Sequence, residues 1–195
     1  MKAFLRNSLL VAILGASAGI ANAELSSNVS LDVSRFEMIN IDELTSYAKK
    51  GSDQAQFYLA KRLQKGIGVE RNASKAVKWY TKAAEKGVTP AQLNLGMMYA
   101  IGDGVKVNES KARYWLEQAA QRGDNRASFA LAMIDEKQEK LVDAYKWYDL
   151  STRDGMLDER VRTKARSKIG QLAVNLSSSD IADARKKANS WLYTK

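Results

Sequence analysis

The chain has no cysteine and no histidine, and its one proline is Pro90. Without cysteine it can form no disulfide, carry no lipid-modified cysteine and offer no thiol nucleophile. Without histidine it lacks the usual imidazole base, and with both residues gone it lacks the ligands of most transition-metal sites. Catalysis would fall to carboxylates and lysines alone, and no cofactor is expected. Beyond the first two dozen residues no apolar run approaches the roughly 20 residues of a spanning helix, so a membrane-spanning protein is not expected. A chain of 195 residues is nevertheless long enough to be held by its core without disulfides.

What is present begins with Lys2 and Arg6, an apolar stretch from Leu9 to Ile20, and Ala21-Asn22-Ala23. That order is the order of a cleaved signal peptide. Gly15, Gly19, Ser8, Ser17 and Asn22 make the uncharged stretch from Asn7 to Ala23 a poor membrane anchor. Residues 1–23 are therefore expected to leave, and the remainder is expected in the periplasm. Loss of Lys2 and Arg6 takes the formal charge from +9 to +7. Such a surplus is read first as a basic surface that maintains solubility, and outside the cytoplasm its counter-surfaces would be anionic lipid, wall polymers or acidic proteins rather than nucleic acid.

Self-comparison shows the organisation. Gly51, Gly87 and Gly123 are spaced by 36 residues, and so are Ala55, Ala91 and Ala127, and Leu59, Leu95 and Leu131. Gly66 and Gly68 map onto Gly102 and Gly104, Trp79 onto Trp115, and Ala83-Ala84 onto Ala119-Ala120. A fixed period in this range means a solenoid of stacked units. In each unit's second helix, Ala76, Trp79, Tyr80, Ala83 and Ala84 form one apolar stripe, repeated by Ala112, Trp115, Leu116, Ala119 and Ala120. Asn72 and Asn108 stand where an N-cap is needed. Thr89-Pro90 reads as a cap followed by proline at the first helical position.

These residues, Ala-x3-Leu-(Gly/Ala)-x5-Gly-x-Gly-Val followed by Lys-Ala-x2-Trp and Ala-Ala-x2-Gly, resemble the Sel1-like repeat family, a branch of the tetratricopeptide-like α-solenoids, in an exported bacterial form. The resemblance covers about residues 51 to 155. It implies an all-α fold, a right-handed α-solenoid of antiparallel helix pairs with about three repeats and terminal capping helices. The expected organisation is a signal peptide at 1–23, a flexible arm at 24–40, the solenoid at 41–155 and capping helices at 156–195. The third unit is four residues short and lacks the Gly-x-Gly-Val turn. Leu44, Tyr47 and Ala48 look like half a unit before the array. After it, Ser177-x2-Asp180 has the pattern of a capping box opening a last helix, with Ile181, Ala184, Ala188, Trp191 and Leu192 facing inward.

No motif carries chemistry. Gly66-x-Gly68 and Gly102-x-Gly104 follow helices rather than strands and read as turns, not phosphate loops. Asp135-Glu136 and Asp158-Glu159 are neighbours whose side chains point about 100° apart on a helix, and are read as solvated surface. The basic run Arg160, Arg162, Lys164, Arg166 and Lys168 fans around its helix and is read the same way. What remains is a groove. By the tetratricopeptide analogy, Phe57, Leu93 and Phe129, with Lys61, Met97 and Met133 one turn on, line the concave face as an aromatic and methionine strip. Flanked by Lys61 and Arg126, it would accept an amphipathic or acidic segment. The alternative for these positions is core between repeats.

The expected function is a non-enzymatic periplasmic scaffold or adaptor that recruits or regulates a protein partner of the cell envelope. The resemblance implies assemblies such as a flagellar motor. The alternative is an immunity protein that neutralises a toxic lipase or wall hydrolase delivered to the periplasm. Export itself is directly testable: intact-mass measurement of the periplasmic fraction should find a chain beginning at Glu24, and a species retaining Met1, or one confined to the cytosol, would refute it.

Overall fold

The computed structural model describes residues 35–153 and 159–193. The expected signal peptide at 1–23, residues 24–34 of the arm, Asp158 and the side chain of Leu192 lie outside what is described. Among those described, the regular elements are all α-helical: α1 Ile41–Lys49, α2 Asp53–Lys65, α3 Ala73–Glu85, α4 Thr89–Ile101, α5 Glu109–Gln121, α6 Asn125–Lys137, α7 Leu141–Thr152, α8 Glu159–Ala173 and α9 Ser178–Tyr193. From α1 to α8 each helix packs chiefly on its neighbours in sequence, while α9 folds back onto α7, so the helices stack as an α-solenoid with α2/α3, α4/α5 and α6/α7 as the repeated pairs.

Local chemistry sets the boundaries. The side chains of Asn72 and Asn108 accept from the backbone N–H groups of Lys75 and Lys111, each at 2.9 Å, and start α3 and α5. The first helices of the pairs start one unit apart at Ser52, Val88 and Asp124. Ser52 and Asp124 cap with their side chains, whereas Val88 holds the same place with no side-chain bond. Thr89 is therefore the first helical residue, not the cap, and Pro90 follows it within the first turn, where a missing N–H costs little. At the end of the chain Ser177 and Asp180 form the reciprocal capping box, each backbone N–H donating to the other's side chain at 3.1 Å.

The core has two clusters, one from Phe36 to Met98 and a second from Leu93 to Ala188, and α4 and α5 contribute to both. Alanines recur in it fully buried, including Ala55, Ala60, Ala76, Ala83, Ala112, Ala119, Ala127 and Ala144. Their small side chains let helices approach closely.

Both ends depart from expectation. Residues 35–40, read as the end of a flexible arm, are docked. A helical turn at 35–38 buries Phe36 against Tyr47 and Tyr58, and the Arg62 guanidinium donates to the carbonyls of Glu37 and Ile39. At the other end α8 and α9 both pack on α7, and Trp191 meets Trp147 edge-on at 4.8 Å. Trp147 is thereby 2 % exposed, while its counterparts Trp79 and Trp115 are only partly buried. The short third unit replaces the seven-residue turn of the others with Gln138, Glu139 and Lys140, and Glu139 takes a left-handed φ of 59°.

Units are registered by a close approach at Gly104. A Cβ there would lie 2.3 Å from the backbone carbon of Ala73 in the preceding unit, whereas a Cβ on the in-register Gly68 would meet nothing within 4 Å. Both glycines have left-handed φ, +72° and +66°, which costs an L-residue about 1–2 kcal/mol. Gly68→Ala should therefore lose only that amount. Gly104→Ala adds overpacking, typically a further 1–3 kcal/mol, and should melt several degrees lower than Gly68→Ala, at about 2–4 °C per kcal/mol for a chain of this size. Equal melting temperatures would contradict the contact.

Candidate functional site

The positions proposed for the groove lie on α2, α4 and α6, and the structure separates them. On α2 the Phe57 ring lies between Tyr58 at 5.1 Å and Tyr80 at 6.0 Å, in the first core cluster. Lys61 pairs with Glu37 at 3.0 Å. The docked turn thus engages the first third of the expected strip. Leu93 on α4 is 8 % exposed and belongs to the second core cluster, so it backs the surface and cannot present itself. Arg126 does not flank an open groove. Its Nε and Nη2 donate to the carboxylate of fully buried Asp124 at 2.9 and 2.7 Å, stapling the α6 cap.

The remaining positions do reach solvent. Met97 is 38 % exposed and Met133 53 %, in register on α4 and α6. Ile101 follows Met97 by one turn and is 68 % exposed, so the open apolar strip is Met97, Ile101 and Met133. Sequence reasoning missed Ile101, and with it Lys137 one turn beyond Met133, although the same i, i+4 step that linked Phe57 to Lys61 reaches both.

Beside Met133 the strip runs into a cleft of about 470 Å³ between α6 and α8, lined by Phe129, Met133, Glu136, Lys137, Lys164 and Lys168. Phe129 is half-buried, held edge-on to Tyr148 with centroids 5.2 Å apart. Glu136 accepts from the Lys168 ammonium at 2.7 Å and from the Tyr148 hydroxyl at 2.5 Å. Burial pushes the Glu136 carboxyl up, but those two bonds outweigh it and hold it below the usual range. The Tyr148 hydroxyl is pushed well above its ordinary value, first by burial and then by Glu136, and stays protonated as the donor.

The acidic pairs are not uniformly solvated surface. Asp135 is 2 % exposed and paired with Arg113, which also contacts Glu109 at 3.3 Å. Burial without a partner would have driven such a carboxylate to the surface, and the partner is what keeps it inside. Glu159 is exposed, 3.7 Å from both Arg162 and Arg166. Among the described residues no group of three or more carboxylates is placed to hold a metal ion, and no helix is long and apolar enough to cross a membrane.

The family model of the Sel1 repeat matches residues 53–88 and 89–124, the α2/α3 and α4/α5 pairs with the loop that follows each. Two of the similar solved structures show the extent of the likeness. A Sel1 repeat protein from Oxalobacter formigenes is 30% identical with a TM-score of 0.54, over 62% of this chain and 47% of that one. A protective antigen of uropathogenic Escherichia coli displaying an SLR fold is 24% identical with a TM-score of 0.55, over 78% of this chain and 40% of that one. The chain thus spans less than half the length of either. It matches no curated protein.

Surface and core positions should separate in thermal melts. Trp147→Ala removes a packed aromatic and should cost about 3–5 kcal/mol. Met97→Ala and Met133→Ala should stay within about 0.5 kcal/mol of the parent, with Phe129→Ala in between. A methionine variant that melts as early as Trp147→Ala would return the strip to the core.

Proposed function

We propose, from the premise that the chain carries Sel1 repeats and that such repeats are scaffolds for protein–protein contact, that this protein is a non-catalytic periplasmic adaptor which recruits or regulates a protein partner of the cell envelope. The observation that carries the reading is the strip of Met97, Ile101 and Met133, exposed on the first helices of successive units, with Met97 and Met133 in register. Apolar side chains aligned on a rigid array mark an interaction surface more than a single exposed residue does. Methionine accommodates a partner's shape without a fixed rotamer. The signal-peptide pattern supports the compartment, and the envelope supplies the partners.

The test is recovery of cross-linked partners from envelope extract with tagged full-length protein, beside the variant Met97→Glu/Ile101→Glu. The variant should keep the wild-type circular dichroism and lose the partner by tenfold or more. Undiminished recovery would refute the strip. Recovery of a secreted hydrolase inhibited by the protein, in place of an envelope component, would replace the adaptor by an immunity protein.

A further inference from the structure

The cleft between α6 and α8 has a charge pattern that the rest of the strip lacks. Its floor is apolar, Phe129 and Met133, and the Phe129 ring is fixed by Tyr148. The one carboxylate among its described lining residues, Glu136, is satisfied from within by Lys168 and Tyr148. The other two ammonium groups, Lys137 on the α6 wall and Lys164 on the α8 wall, are exposed and have no ion pair among the described residues. The result is an apolar recess with two positive charges on opposite walls that no carboxylate among the described residues pairs.

We propose that this cleft receives an acidic peptide segment carrying a bulky apolar side chain, the apolar group lying on Phe129 and Met133 and the carboxylates meeting Lys137 and Lys164. The proposal rests on the reading of the strip as a protein-binding surface and names the chemistry of what binds there. The volume falls in the range of roughly 300–1,000 Å³ typical of small-molecule pockets, room for one bulky side chain in a cleft that stays open to solvent. Met97 and Ile101 continue the apolar surface onto α4. With neighbouring helices about 8–10 Å apart, a ligand running from α8 to α4 covers roughly 20 Å, the length of about six extended residues. A chain has that shape. A layer of anionic headgroups would instead address the outer face of α8 as a whole, Arg160 and Arg166 included, rather than two lysines facing each other across a recess.

The probe is a fluorescein-labelled peptide alternating Glu and Asp with Leu and Phe, measured by anisotropy against the full exported chain. Two control peptides replace either the acids by Gln and Asn or the apolar residues by Ala. Lys137→Glu/Lys164→Glu should weaken the acidic peptide by tenfold or more and Met133→Ala by about threefold or more, and affinity should fall with added salt as charge screening shortens. Lys78→Glu/Lys186→Glu, the same change in net charge at exposed positions on α3 and α9, should change it by less than twofold. If the reversal at the cleft perturbs the fold, Lys137→Gln/Lys164→Gln carries the test, with a loss of threefold or more expected. The proposal is overturned if the control pair weakens binding equally, if either control peptide binds as well as the probe, or if phosphatidylglycerol vesicles bind and the peptide does not. Should the probe fail while the envelope partner still depends on Met97 and Ile101, the cleft assignment falls alone. Should the probe bind as described while no envelope partner is recovered, the cleft stands and the adaptor reading falls.

Discussion

No helix pair of this chain can cover its own apolar stripe, so every unit depends on the next arriving in one position. That position is fixed by a steric minimum and a polar clip acting together. Gly104 lets the second turn touch the backbone at Ala73, and the adjacent Asp103 accepts from Arg71 at 2.6 Å and Gln64 at 3.1 Å in the first unit. Gln64 in turn accepts from the buried Tyr80 hydroxyl at 3.1 Å. A slide of one unit on the other would separate Asp103 from both partners and drive residue 104 into α3. The repeated amide donors act in the same sense: Gln56 and Gln92 donate to the carbonyls of Ala48 and Ala84, both at 3.1 Å, and tie each first helix to the helix before it.

The next interface keeps this geometry and changes the chemistry. Arg113 and Asp135 stand 36 residues beyond Val77 and Tyr99, which belong to the apolar core where α3 meets α4. Where α5 meets α6, the same two places hold a largely buried ion pair. Such a pair is not in general more stable than the apolar contact it replaces, but losing one partner leaves an uncompensated charge and costs about 3–5 kcal/mol. It therefore penalises misplacement of α6 more sharply than Val77 and Tyr99 penalise misplacement of α4. The stricter placement falls just before the turn shortens to three residues and the array stops repeating.

These features divide by range in the sequence. The period, the Asn72 and Asn108 caps, the Ser177/Asp180 box and the burial of Ala184 and Ala188 were all legible, because each depends on residues within a few positions or on an identity recurring at 36. The start of α4 was misplaced because Val88 looks nothing like a cap. Only its register with Ser52 and Asp124 shows the position. Asp135 was unreadable as a buried residue because its partner lies 22 positions earlier on another helix, where the in-register residue is valine. Docking of residues 35–40 depends on Arg62, a residue that reads as surface charge until its two backbone acceptors are in view. The cleft joins two features that were each visible, the Phe129/Met133 strip and the Lys164/Lys168 run, but their adjacency depends on α8 packing back beside α6, which no local pattern encodes.

That adjacency also bears on why the surface can remain open. Met97, Ile101 and Met133 would favour self-association on a neutral protein. Here the strip ends at Lys137 and Lys164 in a chain of formal charge +9, or +7 without Lys2 and Arg6, so a second copy laid on it would bring its own lysines toward like charge. An acidic guest gains where a copy of the chain loses. On the proposed surface the apolar residues would supply contact area while the lysines would discriminate between partners and steer encounter, a division in which charge contributes more to selectivity and association rate than to total affinity. Glu136 is essential to that division: left unpaired at the cleft it would cancel one of the lysines, and its capture by Lys168 and Tyr148 is what leaves Lys137 and Lys164 without a carboxylate partner among the described residues.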